Sequence, residues 1–333
     1  MADIGVMLHT ADLDVEHIIR LAAESAGLGY ERFWLTEESG KEAFALLGAL
    51  AREVPSIALG TSIVSFYSRT PTMLAMAART VWELTSGRFM LGVGSGGPGF
   101  VERGHGLAME RPVARSRETI RIVRGLLTEK RFSYDGEWFH LKDFRLREGP
   151  LPAYLPVYLA ALRPAMVRLA AREYDGFIMN WPTAEAVDAY KREVQAAASA
   201  AGRDPSEVRI LSLTMTVADP GDEASVNAMR RGIAFYCASE TYHHIAQLSG
   251  FGPEVRRVYE AWQTGDFGKA TALVSDRMVE KFSVTTAAEL QRIVDSGVYP
   301  IIYPVARAGL VYEDHVLTAR RAAEYLGQSP AVS

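Results

Sequence analysis

Ile57-Ala-Leu-Gly-Thr-Ser-Ile-Val64 is an uncharged segment that runs directly into Ser65-Phe-Tyr-Ser-Arg-Thr-Pro71. The first segment has the character of a buried strand, and a strand that ends in small residues lets its backbone approach a flat ligand closely. Thr70 followed by Pro71 predicts the start of a helix, because threonine is a favoured N-cap and proline suits the first helical position. Together they predict a strand–helix unit with a ligand-binding turn in its middle.

The same alternation of strand and helix is predicted along the rest of the chain. Strands are expected at 4–9, 32–36, 57–64, 88–93, 157–160, 176–179, 208–217 and 301–303, with helices between them. Eight such units in 333 residues favour a (β/α)8 TIM barrel of the α/β class, in one domain over 1–333. Insertions are expected near 95–112, 130–155 and 222–285. The alternative is a doubly wound open sheet, which accommodates less well a hairpin predicted at 132–140 and two or three helices between 223 and 282.

Composition narrows the class of protein. The chain has 48% hydrophobic and 23% charged residues, a net charge of −4 and a pI near 6.0, which argues against nucleic-acid binding. It has neither an apolar run of 18 residues nor a recognisable signal peptide, so a cytoplasmic protein away from membranes is expected. Cys237 is the only cysteine, which excludes an intrachain disulfide and a cysteine-cluster metal site, and is expected to be a buried thiol.

A barrel of this kind carries its site where the strands end, at their carboxyl-terminal rim. The predicted rim offers one histidine and two adjacent carboxylates, and its remaining residues are uncharged, many of them small or aromatic. Without paired histidines or a lysine, no metal is expected, and a metal-dependent hydrolase or a Schiff-base aldolase is poorly supported. A large planar cofactor fits better. The rim segments are Leu8–Thr10, Thr36–Glu38, Ser62–Ser65, Gly94–Gly97, Ala160–Leu162, Met179–Trp181 and Tyr303–Pro304.

Four parts of this rim can each be assigned candidate roles. Of Glu37 and Glu38, one is a candidate catalytic residue, as a hydrogen-bond acceptor or general acid, and the other an ordinary helix-start carboxylate. Helix amides after Ala160 suit a phosphate, with Arg163 either contacting it or solvated at the surface. His9 is expected to be a hydrogen-bonded rim histidine rather than a catalyst. The glycines from Gly92 to Gly97 form either a flexible turn or a backbone wall beside a ligand, since no helix is expected to open there.

Two longer segments carry a resemblance to a known family. Thr61–Pro71 and Leu84–Gly97 resemble the luciferase-like monooxygenase superfamily, and most of all its branch that uses coenzyme F420, typified by methylene-tetrahydromethanopterin reductase. Val157–Ala161 and Ile302–Pro304 are also similar. The resemblance implies a (β/α)8 barrel, usually dimeric, with a non-prolyl cis peptide at Ser62-Ile63 in a bulge that backs the central ring of the cofactor.

The resemblance also assigns residues around that ring. It places Glu37 beside the deazaflavin head, brings Gly96 and Gly97 towards the site, and lines a phosphate hole with Ala161 and Leu162. Two departures stand out: some relatives carry a carboxylate at the position of Gly97, and Asp-His in place of Glu37-Glu38. The predicted cofactor-binding residues, from the rim and the resemblance together, are Thr61, Ser62, Ile63, Val64, Gly96, Gly97, Ala160, Ala161, Leu162, Arg163, Asn180 and Trp181.

Three functions remain open at this point. The first is an F420-dependent oxidoreductase that transfers a hydride between C5 of the deazaflavin and a small organic substrate, with Glu38 as proton donor. The second is a two-component monooxygenase that uses reduced FMN and O2 and is supplied by a separate cofactor-reducing enzyme. The third is a barrel that binds or stores flavin without turnover. A small-molecule substrate and a homodimer are expected.

Overall fold

The computed structural model describes residues 4–327, so the two ends of the predicted domain, 1–3 and 328–333, lie outside the described residues. Eight parallel strands close into a barrel, which confirms the predicted architecture. One of the eight is interrupted by a bulge and is numbered as two, and a separate hairpin adds two more. The strands are β1 (Gly5–His9), β2 (Arg32–Thr36), β3 (Ala58–Thr61), β4 (Val64–Ser65), β5 (Phe89–Gly94), β6 (Phe132–Asp135), β7 (His140–Phe144), β8 (Val157–Ala160), β9 (Gly176–Asn180), β10 (Arg209–Val217) and β11 (Tyr299–Val305).

The barrel closes between β3 and β5. The order of neighbouring strands is β3-β2-β1-β11-β10-β9-β8-β5-β4, and β3 also pairs with β5 in parallel. β4 continues the path of β3 beyond the bulge and pairs with β5 through Val64 opposite Val93. The open doubly wound sheet is therefore wrong, because an open sheet leaves two unpaired edges.

Helices surround the barrel. The described residues form α1 (Val15–Gly27), α2 (Ala43–Glu53), α3 (Pro71–Leu84), α4 (Pro112–Thr128), α5 (Pro164–Glu173), α6 (Ala184–Ala200), α7 (Glu223–Cys237), α8 (His243–Leu248), α9 (Gly252–Gln263), α10 (Phe267–Ala272), α11 (Asp276–Phe282), α12 (Ala287–Asp295) and α13 (Val311–Tyr325). The α3 start is as predicted: the Thr70 side chain accepts a hydrogen bond from the Met73 amide, and Pro71 follows it.

Two predictions about the insertions are wrong. The segment between 223 and 282 holds five α-helices, α7 to α11, rather than two or three, because it is broken at four places, two of them turns with positive φ at Gly250 and Gly265. The connection after β5 also contains a π-helix, Gly99–Gly104, where none was expected. The hairpin prediction is confirmed by β6 and β7, which pair in an antiparallel way.

A large side chain fills the interior of the barrel. The Trp34 ring is fully buried and belongs to an interior cluster that is separate from the core between strands and helices. A Cβ on Gly5 would lie 2.3 Å from the Trp34 ring, and one on Gly60 would lie 2.4 Å from it, so both positions need glycine to admit the indole. Truncation of such a buried ring typically costs about 3–5 kcal/mol. The interior cluster is formed by Met7, Trp34, Tyr158, Ile178, Leu211, Tyr299 and Ile301.

Candidate active site

The carboxyl-terminal ends of the strands form an opening above this cluster. Because side chains alternate along a strand, the residues two positions beyond the cluster members also point inward. Tyr303, two residues after Ile301, packs against the interior cluster, and Asn180, two residues after Ile178, is buried. We call this opening the barrel mouth. It is defined by His9, Thr36, Ile63, Gly94, Ala160, Asn180 and Tyr303.

The bulge between β3 and β4 lies at one side of the barrel mouth. The Ser62-Ile63 peptide is cis, which confirms that prediction. The bulge is held by β2: the Ser62 amide donates to the Leu35 carbonyl at 2.8 Å, and the Thr36 hydroxyl donates to the Ser62 carbonyl at 2.6 Å. The Glu37 amide donates to the Ile63 carbonyl at 3.1 Å. The partly exposed Ile63 side chain then packs on top of the interior cluster.

Glycines of β5 shape the wall beside the bulge. A Cβ on Gly92 would lie 2.0 Å from the Thr61 carbonyl oxygen, so that position requires glycine. The Thr61 hydroxyl also accepts from the Gly92 amide and donates to its carbonyl, both at 2.8 Å. A Cβ on Gly94 would lie 3.0 Å from the Ile63 side chain and 2.9 Å from Ala160. The wall is therefore low and flat where a planar ring would lie.

A histidine, a phenol and a carboxylate meet on the opposite side. His9 Nε2 lies 3.0 Å from the Tyr303 hydroxyl, and His9 Nδ1 lies 3.7 Å from Glu38 Oε1. The His9 side chain is 12% exposed and that of Glu38 is 49% exposed. Burial raises the pKa of Tyr303, so its phenol keeps its proton at neutral pH. The predicted hydrogen bond of His9 is present.

Aromatic residues from the last insertion reach over this side of the mouth. The Tyr236 ring lies edge-on to Tyr303 with centroids 6.2 Å apart, and 4.8 Å from the Tyr242 ring. Burial raises the pKa of both Tyr236 and Tyr242. The Asn180 amide nitrogen donates to the Tyr242 hydroxyl at 3.4 Å. The phenols of Tyr236 and Tyr242, which the insertion contributes, therefore lie beside Tyr303 and Asn180 of the barrel mouth.

Trp181 occupies a different position from the other predicted ligand contacts. It is fully buried with a φ of +55°, and its ring stacks on Phe282 with centroids 4.2 Å apart. Its Nε1 donates to the Met215 sulfur at 3.3 Å. The ring supports Tyr242, 5.0 Å away, from behind. Its predicted role in cofactor binding stays a prediction, and its contacts favour an indirect one.

Glu37 is held on both carboxylate oxygens. Arg69 donates to Oε1 at 2.5 Å and to Oε2 at 2.6 Å, and the Ala43 amide donates to Oε2 at 2.9 Å. The Glu37 side chain is only 6% exposed, and Arg69 also binds Glu42. These contacts favour a structural role over proton transfer, and they leave Glu38 as the more available of the two predicted catalytic carboxylates.

A cleft opens between the loops after β2 and β4 and the π-helix. Its volume is about 490 Å3, and the carboxylates of Glu37 and Glu42 on its wall are both paired with Arg69. Phe100 and His105 form an edge-to-face pair on the opposite wall, with centroids 4.5 Å apart. We call it the loop cleft. It is lined by Glu37, Glu38, Ser39, Gly40, Lys41, Glu42, Ser68, Arg69, Gly99, Phe100, Gly104 and His105.

Gly96 and Gly97 connect β5 to the segment that leads to the loop cleft. Gly96 has a φ of +74°. A Cβ on Gly97 would meet nothing within 4 Å. Their predicted contact with a cofactor stays a prediction.

The predicted phosphate site lies at the start of α5. Arg163 is the N-cap residue and makes no side-chain capping bond, so the first turn has no side chain of its own to satisfy its amides. Ala161 is buried, and its amide is already used by the Ile178 carbonyl at 3.0 Å. The Tyr190 hydroxyl donates to the Leu162 carbonyl. A cavity of about 320 Å3 adjoins this turn and is lined by Arg163, Pro164, Glu240, His243, His244 and Gln247.

The structure thus brings most predicted residues to one end of the barrel. Thr61 to Val64, Ala160 and Asn180 meet at the mouth, and Glu38 joins them through His9. Arg69, Tyr236 and Tyr242 were not among the predicted site residues. The sequence signal for them was slight: Arg69 stands one residue before the Thr70 cap, and the two tyrosines flank a break between helices. Within residues 4–327, no group of three or more histidine, cysteine, aspartate or glutamate side chains could hold a metal ion.

Comparison with known proteins places this site in a family context. A profile of the luciferase-like monooxygenase family matches residues 1–296. The 5,10-methylenetetrahydromethanopterin reductase of Archaeoglobus fulgidus is 28% identical over 277 residues, which cover 82% of each chain. An F420-dependent glucose-6-phosphate dehydrogenase of Segniliparus rotundus is 27% identical over 263 residues, or 76% of each chain.

A solved structure shares the whole architecture. The coenzyme F420-dependent tetrahydromethanopterin reductase of Methanopyrus kandleri superposes with a TM-score of 0.83 over 97% of this chain and 99% of its own. Because the sequence identity is 20%, this likeness shows the fold alone. No helix among residues 4–327 is both long and apolar enough to cross a membrane.

Proposed function

The chain belongs to the luciferase-like monooxygenase family and is an oxidoreductase of that family, and on this premise we propose that its cofactor is coenzyme F420. In this proposal it transfers a hydride between C5 of the deazaflavin and a small organic substrate. The observation that carries the proposal is the flat wall of the barrel mouth, where the bulge and two glycines leave room for a ring. The F420-dependent relatives named above support the choice of cofactor.

The residues present fit such a cofactor. Added Cβ atoms on Gly92 and Gly94 would crowd the Thr61 carbonyl and the Ile63 side chain, so the glycines keep the wall beside the bulge low. The bulge from Thr61 to Val64 would back one face of the ring and leave the other face to the substrate. When bound, reduced F420 supplies a hydride at C5 of its deazaflavin ring.

The protein's own groups would hold the cofactor, keep water from the barrel mouth and supply a proton. The uncapped first turn of α5, with Ala161, Leu162 and Arg163, would hold the phosphate of the tail, because amides at a helix N-terminus favour an anion. Ile63 and the partly buried phenols Tyr236 and Tyr303 would limit the access of water to the mouth, which strengthens electrostatic contacts there. Glu38 is the proposed proton donor, since its carboxylate is the one not held by Arg69.

Anaerobic titration with purified cofactors tests the proposal. Reduced and oxidised F420 are each added to the full chain and followed by absorbance and fluorescence, with FMN in a parallel series. We expect saturable binding of F420 and none, or far weaker binding, of FMN. Oxidation of reduced F420 is then followed with an enone, a cyclic imine and a ketone as probes. Tight binding of FMN with no binding of F420 would overturn the choice of cofactor.

The second candidate is the FMN-dependent monooxygenase, favoured by the family whose profile matches the chain. It would take reduced FMN from a separate cofactor-reducing enzyme and consume O2. Oxygen uptake separates this function from the first. With reduced FMN and an added aldehyde, sulfonate or amine, a monooxygenase should raise oxygen uptake above that of free reduced FMN.

Assembly and location belong to the proposal as well. We propose a homodimer in the cytoplasm, and α3 offers an uncovered apolar surface in Met73 and Met76, which are 53% and 44% exposed. Sedimentation velocity on the full chain distinguishes a dimer from a monomer.

A further inference from the structure

We propose that His9 passes a proton from Glu38 to Tyr303, so that the three side chains form a relay from the loop cleft to the barrel mouth. The inference rests on the proposed function, because the proton it delivers is the one that accompanies hydride transfer. Tyr303 is the donor that touches the substrate in this scheme. Glu38, the proposed proton donor, is the outer end of the relay, and His9 is the positioning residue between them.

The geometry places one ring nitrogen of His9 towards each partner. Nε2 lies 3.0 Å from the Tyr303 hydroxyl, which is hydrogen-bonding distance. Nδ1 lies 3.7 Å from Glu38 Oε1 and is a buried atom without a hydrogen-bond partner among the described residues. A buried polar atom of this kind calls for a partner. A small rotation of the half-exposed Glu38 side chain, or one bridging water, completes the contact.

The two ends of the relay lie in different surroundings. Glu38 lines the loop cleft and its side chain is 49% exposed, so it can exchange protons with water. Tyr303 packs against the interior cluster at the barrel mouth, where the proposed substrate would lie. The relay therefore has a half-exposed acid at its outer end and a partly buried phenol at its inner end. Burial, which raises the pKa of Tyr303, keeps the inner donor protonated.

Other titratable groups lie around the relay. Asp12, in the turn after β1, has its amide bonded to the His9 carbonyl at 3.1 Å, and its charge acts on Tyr303 and on the buried His315 of α13. Tyr236 of α7 lies edge-on to Tyr303 and is influenced by the charge of Glu38, as is Tyr242. Among these groups, Glu38 is the one whose carboxylate lies within 4 Å of Nδ1.

The proton and electron balance of the step is closed. Bound reduced F420 would supply a hydride to the electrophilic carbon of the substrate, a new C–H bond would form, and the π pair of the C=X bond would move onto X. X takes the proton of the Tyr303 hydroxyl, Tyr303 regains one from Nε2–H of His9, and Nδ1 takes one from the Glu38 carboxyl group. His9 ends the step with its proton on Nδ1 and returns to the Nε2–H tautomer by exchange with solvent between turnovers. Water in the loop cleft reprotonates Glu38. The substrate is reduced by two electrons and the deazaflavin is oxidised by two.

The first experiment needs neither cofactor nor substrate. The full chain is labelled with 15N-histidine, and the ring signals of His9, assigned by their loss in His9→Asn, are followed against pH. We expect Glu38→Gln and Tyr303→Phe each to change the tautomer balance of the His9 ring, because each removes a partner of one ring nitrogen. His17→Asn, which removes an exposed histidine on α1, is the matched control and should leave that balance unchanged. A His9 ring with the same tautomer balance in all these variants would overturn the relay.

The second experiment measures the relay in turnover. Oxidation of reduced F420 is recorded with 2-cyclohexen-1-one and with 1-pyrroline as probes. We expect His9→Asn and Tyr303→Phe to slow it about 100-fold, the usual contribution of a positioned acid. F420 affinity should stay within about twofold, because neither residue is proposed to bind the tail. Added imidazole should restore part of the rate lost in His9→Asn but none of the rate lost in Tyr303→Phe. In the control His17→Asn, added imidazole should leave the dependence of the rate on pH unchanged.

Failures of the two proposals are distinguishable. If the unaltered protein does not bind F420, the proposed function fails, and the NMR comparison alone decides whether the three residues are coupled. If F420 binds and both variants oxidise it within twofold of the unaltered protein, the relay is wrong and the proposed function stands. Glu38→Gln, at an exposed position, replaces His9→Asn in this comparison if the latter does not fold.

Discussion

Arg69 holds the carboxylate of Glu37 through two nitrogen–oxygen contacts of 2.5 and 2.6 Å, across 32 positions of sequence. The pair ties the loop that follows β2 to the segment that leads from β4 into α3. Because the Glu37 side chain is 6% exposed and that of Arg69 is 15% exposed, neither is well solvated. The loop that carries Glu38 is thus anchored by the residue immediately before it.

Removal of Arg69 should therefore destabilise the fold. Arg69→Ala leaves a buried carboxylate without its partner, and we expect the free energy of unfolding to fall by about 3 kcal/mol or more. The matched control is Arg121→Ala, which removes a two-contact pair with Glu173 in which the arginine side chain is 53% exposed. That change should cost under about 1 kcal/mol. Urea unfolding measures both, and equal losses would contradict the burial argument.

Gly92→Ala tests the wall of the barrel mouth. Its Cβ would meet the Thr61 carbonyl oxygen at 2.0 Å, so the backbone itself must shift. We expect a loss of about 1–3 kcal/mol or more in unfolding free energy. Gly48→Ala, in the interior of α2 with open space around it, should instead stabilise by about 0.5–1 kcal/mol. Thermal unfolding of both variants is the measurement, and a neutral Gly92→Ala would refute the close approach.

Arg163→Ala tests the proposed phosphate site. If the Arg163 side chain supplies a charge-assisted hydrogen bond to the tail, its loss should weaken F420 binding about tenfold, by roughly 1.5 kcal/mol. Arg172→Ala, in the last turn of the same helix, removes the same charge at the other end and should leave the affinity unchanged. Fluorescence titration compares the two. Equal F420 affinities of the two variants would show that Arg163 is a solvated surface residue and does not contact the phosphate.

His315 should make stability depend on pH on the acid side of neutrality. Burial lowers the pKa of His315 below its usual 6.5 and outweighs the opposing effects of the Val311 carbonyl and the carboxylates of Asp12 and Asp314. The unfolded chain then binds a proton more readily than the folded one, so unfolding free energy falls as pH drops below about 6.5. Urea unfolding between pH 5 and 8 should show a smaller slope in His315→Asn than in the unaltered protein. Identical slopes would exclude His315 as the cause.

Cys237 should be unreactive in the folded protein. It is fully buried on α7, and burial raises the pKa of its thiol to about 12. Since the thiolate is the reactive form, we expect Ellman's reagent at pH 8 to react at least about 100-fold more slowly than with the protein unfolded in guanidinium. A chain with one cysteine gives an unambiguous signal. Rapid reaction without denaturant would show that α7 opens readily.

Local signals in the sequence predicted much of the fold. The strand Val157–Ala160 and the helix that starts at Pro71 lie where they were predicted, because a short apolar run and a Thr-Pro start each depend on neighbours in sequence. The helices after residue 222 were miscounted, since the segment is broken at four places and only two of the breaks carry a glycine with positive φ. The spacing of three between Met73 and Met76 favours a core position for both, yet both are exposed, because the buried face of α3 is the one that carries Leu74 and Ala78.

The side-chain partnerships of the site lay beyond such local reasoning. His9 and Tyr303 are 294 positions apart and meet only because the first and last barrel strands pair. Glu37 and Glu38 are adjacent in sequence, yet one is held by arginine and the other faces a cleft. Nothing in the order of residues distinguishes them, because the difference arises from the position of Arg69 after the barrel has closed.

The indole of Trp34, admitted by two glycines, makes the lower half of the barrel solid. A ligand that rests on Ile63 can consequently enter and leave only through the open end of the barrel, and a second ligand bound above it blocks its release. Binding must then be ordered: the deeper ligand binds first and is released last.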